Sequence, residues 1–548
     1  MTEKKKRRFI AALMVSVMTA SMLAGCGSGS DTAATESTEE ENVETMSEAA
    51  EETEAEETED AASTDSGSAH SASLKMFVDE TWWPYQTWEG RITDLVEDNT
   101  DCDITVSVAA DTTALNMQIA SGDLGDLVVS DNFSRMADSN VCYDIYELAE
   151  QYGVELPFDD VTKFVNTAND GHVYTVLCGY SPDFFMDEYP MAVYEGPGLV
   201  LRTDIYEEMG SPELESIDDL EALLLQVKEQ YPDVIPFVYN TTHNNNFMKV
   251  LCGATTYTSG YVDVDGTAEP FIYDPALKEY YLLMNKWYRE GLMSDENFAF
   301  TSDASDKEYM VAGKIFADAK YSDTKSEMDK ALAEAGEDFT TTQIYDILRT
   351  QDGAKFKYSS VGWRGIYIPK SCSDPEAAIR FLAYCYSQEG MHLLLWGEEG
   401  VDWEWSEDKT YINLNYDWDT PSTDDGMKYW GWMTHDGVAN TLPSAGAGGD
   451  TYEARSALTD IIETNPVLAM IRLDPDSEEQ TIMTNLTDLE KNSAVQIITA
   501  ASEEDAIAAY DNMISQADSI GGQKLIDYAK DLYTEKKAAF DQVVADAQ

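Results

Sequence analysis

Ile119-Ala120-Ser121-Gly122-Asp123-Leu124-Gly125-Asp126-Leu127-Val128-Val129 is the stretch on which the fold turns. Its first residues close a helical segment, 113–121. Residues 122–125 read as a turn, and 127–129 form a short apolar run of the kind a sheet buries on both faces. Upstream the same rhythm repeats: 74–78 reads as a strand, 88–99 as a helix and 104–108 as an alternating strand. Strand and helix alternating at this spacing predict an α/β fold, with a largely parallel sheet covered by helices on both faces. Ligands on such sheets collect in loops at the carboxyl ends of strands, which singles out 79–88, 130–134 and 179–185.

From about residue 72 to 548 the chain keeps this globular texture. Single cores stop growing at about 250–300 residues, so two lobes are expected. Before residue 72 the composition differs. Lys4, Lys5, Lys6, Arg7 and Arg8 precede an apolar stretch, 9–22, which has the length of a secretion signal and is short for a membrane span. It ends in Leu23-Ala24-Gly25-Cys26, which resembles a bacterial lipobox, so Cys26 is the expected lipidation site and mature N-terminus. Residues 31–65 hold 15 Asp and Glu and no Lys or Arg. Such a segment cannot bury enough apolar surface to offset its ordering entropy, and 26–71 is expected to be a disordered tether. Roughly 40 residues of tether at no more than ~3.5 Å each bound its reach near ~140 Å.

The formal net charge is -69, and beyond residue 65 the chain still carries 88 acidic against 30 basic residues. That field repels nucleic acid and anionic lipid surfaces, and it favours a neutral or cationic ligand unless a local basic patch overrules it. Cys102, Cys142, Cys178, Cys252, Cys372 and Cys385 show no regular spacing, and buried thiols are expected rather than a disulfide framework. The five histidines match no zinc spacing, and no cofactor or metal is expected. Asp263-Val264-Asp265-Gly266 imitates the opening of a calcium loop, but an Asp-Gly hairpin turn explains it better. Neither a Gly-x-Ser-x-Gly elbow nor a phosphate-binding loop is present, and carboxylate pairs have no diagnostic value in so acidic a chain.

Several segments resemble family 1 extracellular solute-binding proteins. Ser121-Gly122-Asp123-Leu124-Gly125-Asp126-Leu127 is similar to their SGDLPDV signature, with Gly125 where Pro is usual. Leu201-Arg202-Thr203-Asp204, Trp287-Tyr288-Arg289-Glu290-Gly291-Leu292-Met293 and Val311-Ala312-Gly313-Lys314-Ile315 follow in the family's order. So do Asp374-Pro375-Glu376-Ala377-Ala378 and Gly397-Glu398-Glu399-Gly400-Val401-Asp402-Trp403, a run associated with the large oligosaccharide-binding branch. The resemblance spans residues 74–540. It implies a two-lobed periplasmic-binding-protein type II fold with a hinge and an inter-lobe cleft. The first lobe would be 72–190 plus about 360–400, the second 191–359 plus about 401–548, after a signal peptide at 1–25. Crossovers would fall near 189–193, Ser359 and Gly400.

What the resemblance implies about function is a binding component of an ABC importer. It would take up a saccharide and dock on permease subunits, as a monomer held by lipid on the outer face of a Gram-positive type membrane, without catalysing a reaction. Sugar rings stack on aromatic planes and their hydroxyls need paired donors and acceptors. The candidate ligand contacts are therefore Trp82, Trp83, Ser130, Asp131, Asn132, Tyr180, Arg202, Asn240, Asp318, Trp363, Arg364 and Trp403. In the tandem Trp82-Trp83 at most one ring is expected to face the core. A surface-anchored carbohydrate-active enzyme, or a binding protein for a non-sugar ligand such as a peptide, stays open on the residues alone.

Overall fold

The structure is a computed structural model that describes residues 70–239, 245–258, 260–300, 305–418 and 423–548. The chain divides into two units, Met1–Asp65 and Ser66–Gln548, and every described residue belongs to the second. The expected signal peptide, Cys26, nearly all of the tether, and Asn240 lie outside the described residues. No described helix is long and apolar enough to cross a membrane.

The first sheet has the order Gly365–Tyr367, Leu127–Ser130, Ala72–Val78, Cys102–Val108. Its three early strands are parallel, with Leu74 opposite Ile104 and Met76 opposite Leu127, and Gly365–Tyr367 returns antiparallel. The turn that leads into Leu127–Ser130 is built by Gly125 and Asp126. Gly125 has φ +75°, which a proline ring held near -65° cannot adopt, and a Cβ there would stand 3.0 Å from the Lys75 carbonyl oxygen. Asp126 accepts hydrogen bonds from the backbone N–H of Lys75 at 2.8 Å and of Ser373 at 2.6 Å. Burial by itself would raise the Asp126 pKa, but these bonds outweigh it and hold the carboxyl below its ordinary value. The signature aspartate is thus a structural staple joining the sheet to the start of helix Pro375–Tyr386.

The second sheet has the order Thr341–Ile344, Pro197–Arg202, Ile315–Tyr321, Ile235–Tyr239. It is mixed rather than parallel: Pro197–Arg202 runs antiparallel to both neighbours, and only Ile235–Tyr239 is parallel to Ile315–Tyr321. Each sheet has its own apolar core. Leu74, Val78, Ile92, Leu127, Ile366 and Leu382 share one; Leu199, Leu224, Phe237, Trp287 and Phe316 share the other. Helices Ile217–Gln230 and Ala276–Arg289 cover the second sheet, the first of them capped by Ser216, whose Oγ accepts from the Asp219 N–H.

Part of the stretch expected with the second lobe packs with the first. Met427, Trp430 and Met433 belong to the first core, where the Trp430 ring sits 5.4 Å from Trp83 and 4.8 Å from Trp88. Burial of these aromatics, distant in sequence from the sheet they cover, outweighs chain proximity. Further on, Ala457 and Leu458 lie in the second core, as do Leu486, Tyr510, Leu525 and Tyr533 from the three C-terminal helices. The last helix, Gly522–Ala547, also reaches the first half of the molecule, where Phe540 packs beside Phe164.

Candidate functional site

A cavity of about 1560 Å³ opens between elements of the two sheets. From the first sheet come Trp82, after Ala72–Val78, Asp131 and Asn132, after Leu127–Ser130, and Trp363, just before Gly365–Tyr367. From the second come Tyr321, Ser322 and Asp323 at the end of Ile315–Tyr321. Tyr180, Tyr194 and Tyr358 line it where the chain runs between the sheets. The loops that follow strand ends therefore supply the walls, as the topology of α/β sheets requires.

The most distinctive feature is an aromatic platform with a buried cation behind it. Arg364 is fully buried, and its guanidinium lies 3.7 Å from the Trp363 ring, 4.9 Å from Trp83 and 5.1 Å from Trp82. Arg364 Nη2 donates to Glu80 Oε1 at 2.7 Å, and Trp82 Nε1 donates to Glu80 Oε2 at 2.8 Å. One carboxylate thus ties down both the cation and the outer tryptophan. Burial pushes Glu80 up and Arg364 down, and in each case the partner's opposite charge opposes the shift. Among the described residues Arg364 Nε and Nη1 have no hydrogen-bond acceptor, and the guanidinium is surrounded by the three tryptophan rings. In front of this assembly Trp82 is 49% and Trp363 41% exposed, which leaves two ring faces open to the cavity.

Trp82, Asp131, Asn132, Tyr180 and Trp363 are brought together on the cavity wall. The other described candidates do not line the cavity. Trp83 is 2% exposed and packs against Trp430, so the tandem pair splits into one core ring and one cleft ring. Ser130 is buried; its Oγ donates to Asp79 Oδ2 and accepts from the Asn132 N–H, both at 3.0 Å, which shapes the loop without facing the cavity. Arg364 acts behind the wall. Arg202 turns away: it pairs with Asp204, donates to the Gly313 carbonyl at 3.0 Å and stacks over Phe339. Asp318 is buried in register with Val200 and Val238, on the face of the second sheet away from the second core and beside buried Asp306, and burial followed by that like charge pushes its carboxyl well above the ordinary value. Trp403 is 3% exposed, with its Nε1 given to the Gly397 carbonyl at 2.9 Å.

Trp432, His435 and Arg455 also line the cavity and were not singled out from sequence as contacts. Trp432 had a local signal, since it belongs to a tryptophan-rich run. His435 and Arg455 had none, because each reaches the cavity only through long-range packing. Burial pushes His435 down to about 4, so it is neutral at physiological pH. Outside the cavity, the Asp263 turn is a hairpin: Tyr261–Val264 pairs antiparallel with Thr267–Pro270, and the Gly266 N–H donates to Asp263 Oδ1 at 2.7 Å. His70, Glu97 and Asp103 bring three potential metal-ligand atoms within 4.8 Å of one another, and none of these residues lines the cavity.

Two sheets, each with its own core, and a cavity walled by both define a two-lobed binding protein. The chain belongs to the bacterial extracellular solute-binding proteins, whose family model matches residues 81–392, more than half of its length. Solved structures share the fold at low identity. NgtS, an N-glycan transport solute-binding protein from Streptococcus pneumoniae, is 17% identical with a TM-score of 0.56, over 85% of this chain and 99% of that one. FusA, an S. pneumoniae ABC-transporter substrate-binding protein in complex with kestose, is 16% identical with a TM-score of 0.61, over 85% and 100%. An HMO-binding, ABC-transporter-associated solute-binding protein from Bifidobacterium longum infantis is 15% identical with a TM-score of 0.57, over 84% and 98%. None of the curated proteins compared matches the sequence.

Proposed function

We propose that this protein captures an extracellular oligosaccharide and delivers it to the permease of an ABC importer, without acting on it chemically. The observation that carries the reading is the pair of open tryptophan faces, Trp82 and Trp363, set beside Asp131 and Asn132 on a cavity walled from both sheets. Rings stack on the tryptophans; hydroxyls donate to the carboxylate and exchange hydrogen bonds with the amide. At about 1560 Å³ the cavity exceeds the ~300–1,000 Å³ of ordinary small-molecule sites, which suits several linked sugar rings. The likeness to N-glycan transport, HMO-binding and kestose-bound solute-binding proteins supports the cargo class.

In this reading the first lobe is 72–190 plus about 360–447 and the second 191–359 plus about 450–548, with the third crossover at Gly448-Gly449. Ligand binding shifts the population toward a closed form that the permease recognises. The secretion-signal-like stretch and the lipobox-like Leu23-Ala24-Gly25-Cys26 support a mature protein acylated at Cys26 on the outer face of a Gram-positive type membrane, and in this reading it works as a monomer. Calorimetric titration with a panel of tri- to hexasaccharides, with the sugars recovered and analysed afterwards, tests the reading. One-to-one binding with unaltered sugar is expected. Accumulating cleavage products would establish an enzyme instead, and binding of peptides but no glycan would refute the saccharide assignment.

A further inference from the structure

Eight carboxylates and three arginines line the cavity, and each arginine is already engaged. Arg135 Nη1 lies 3.6 Å from Asp476 Oδ1, and Arg455 Nη2 donates to Glu195 Oε1 at 2.7 Å. Arg472 spends Nη1 on the Thr167 carbonyl and Nη2 on that of Val165, at 2.7 and 2.9 Å, and stacks over Phe133 at 4.0 Å. No lysine is part of the lining, and His435 is neutral. The internal segments 240–244, 259, 301–304 and 419–422 contain no Lys or Arg.

The carboxylates left over are Asp131, Asp138, Asp170, Asp183, Asp323 and Asp474, all exposed. Among the described residues none of them forms an ion pair with a lysine or arginine. They come from both sides of the cavity, Asp131 and Asp138 following strand Leu127–Ser130 and Asp323 following strand Ile315–Tyr321. An ionised carboxylate only accepts hydrogen bonds, so this lining asks its ligand for donors. Hydroxyl and ammonium groups meet that demand. An acidic group does not: on entering it would lose hydration, meet three arginines that already have partners, and face eight carboxylates, five more than the cations in the lining. The local basic patch that could have overruled the chain's overall charge is missing from the described cleft.

We infer that the cleft selects oligosaccharides without acidic groups, neutral or amino-bearing, and rejects uronate, sialylated and sulfated ones. This rests on the saccharide reading above and adds the ligand's charge to it. Two experiments on the full chain test it. In the first, each neutral oligosaccharide that binds is compared by calorimetry with its acidic counterpart, for example galactotriose with trigalacturonate, or lacto-N-tetraose with its sialylated form. The acidic member is expected to bind at least about tenfold more weakly, with the gap narrowing as salt is raised. An acidic member binding as tightly as its neutral partner overturns the inference.

The second experiment needs no sugar. Trp82 and Trp363 are the exposed tryptophans among the described residues, so collisional quenching of their emission reads the potential inside the cleft. Relative to the quenching of free N-acetyltryptophanamide by the same ion, the emission lost in the Trp82→Phe/Trp363→Phe double variant is expected to be quenched more strongly by caesium than by iodide, and Asp131→Asn/Asp323→Asn should reduce that preference. Equal or stronger normalised quenching by iodide overturns the inference. If no saccharide binds while caesium quenching still dominates, the saccharide assignment fails and the charge rule stands.

Discussion

Two tryptophan clusters in this molecule have similar composition and opposite uses. In one, Trp82, Trp83 and Trp363 surround Arg364 at the cavity wall. In the other, Trp396, Trp403 and Trp405 surround His392, whose ring is stacked 4.2 Å from Trp396, and Trp396 and Trp403 are buried. The cation in the first cluster cannot lose its proton and is balanced by Glu80. Burial pushes the histidine in the second down to about 4, so that cluster holds no charge at neutral pH. A neutral cluster can close on itself and become core. A buried charge pair needs fixed neighbours: Trp83 is locked against Trp430, while Trp82 and Trp363 meet the pair on one side and stay exposed on the other.

The sharpest way to break this comparison is to remove the charge from the first cluster. Arg364→Ala leaves Glu80 buried without its cation and should cost about 3–5 kcal/mol of stability as well as ligand affinity, read by denaturant melts and calorimetry. A variant as stable as the parent would mean that the pair does not hold the platform. In the second cluster, Trp403→Ala removes a core ring and should also cost about 3–5 kcal/mol, but the folded fraction should bind ligand with unchanged affinity.

Acid acts beside both clusters, through His392 in the second and through His435 near Arg364 in the first. His392 and His435 take up a proton near pH 6.5 when unfolded but only near 4 when folded. Unfolding therefore binds protons in that window, and stability should fall as pH drops through it. Each histidine contributes about 2 kcal/mol between pH 6.5 and 5, and His392→Phe should remove its share of the slope in melts recorded across that range. Trp82→Ala and Trp363→Ala should each weaken ligand binding by about 2 kcal/mol, roughly 30-fold, with little change in melting temperature. The smallest effect is expected from Arg202→Ala: about 1 kcal/mol of stability through its contacts with Asp204 and Phe339, and an unaltered dissociation constant.

The order of strands and helices around residue 127, the signature turn and the Asp263 hairpin were legible in the sequence, because periodicity and turn chemistry act within a window of a dozen residues; the two-lobed fold was expected from chain length and from the family resemblance. So was the splitting of Trp82 from Trp83, since neighbouring loop side chains rarely share one environment. Which tryptophan faces the cavity was not legible. It depends on Glu80 meeting Arg364, and on Trp430 filling the space beside Trp83, pairings between residues hundreds of positions apart. The same holds for the late stretch that joined the first core, and for the engagement of every cleft arginine. Local sequence determined the elements and the class of protein. Only the tertiary packing decided which charges are cancelled and which rings stay open, because burial and ion pairing are settled by whatever the folded chain brings alongside.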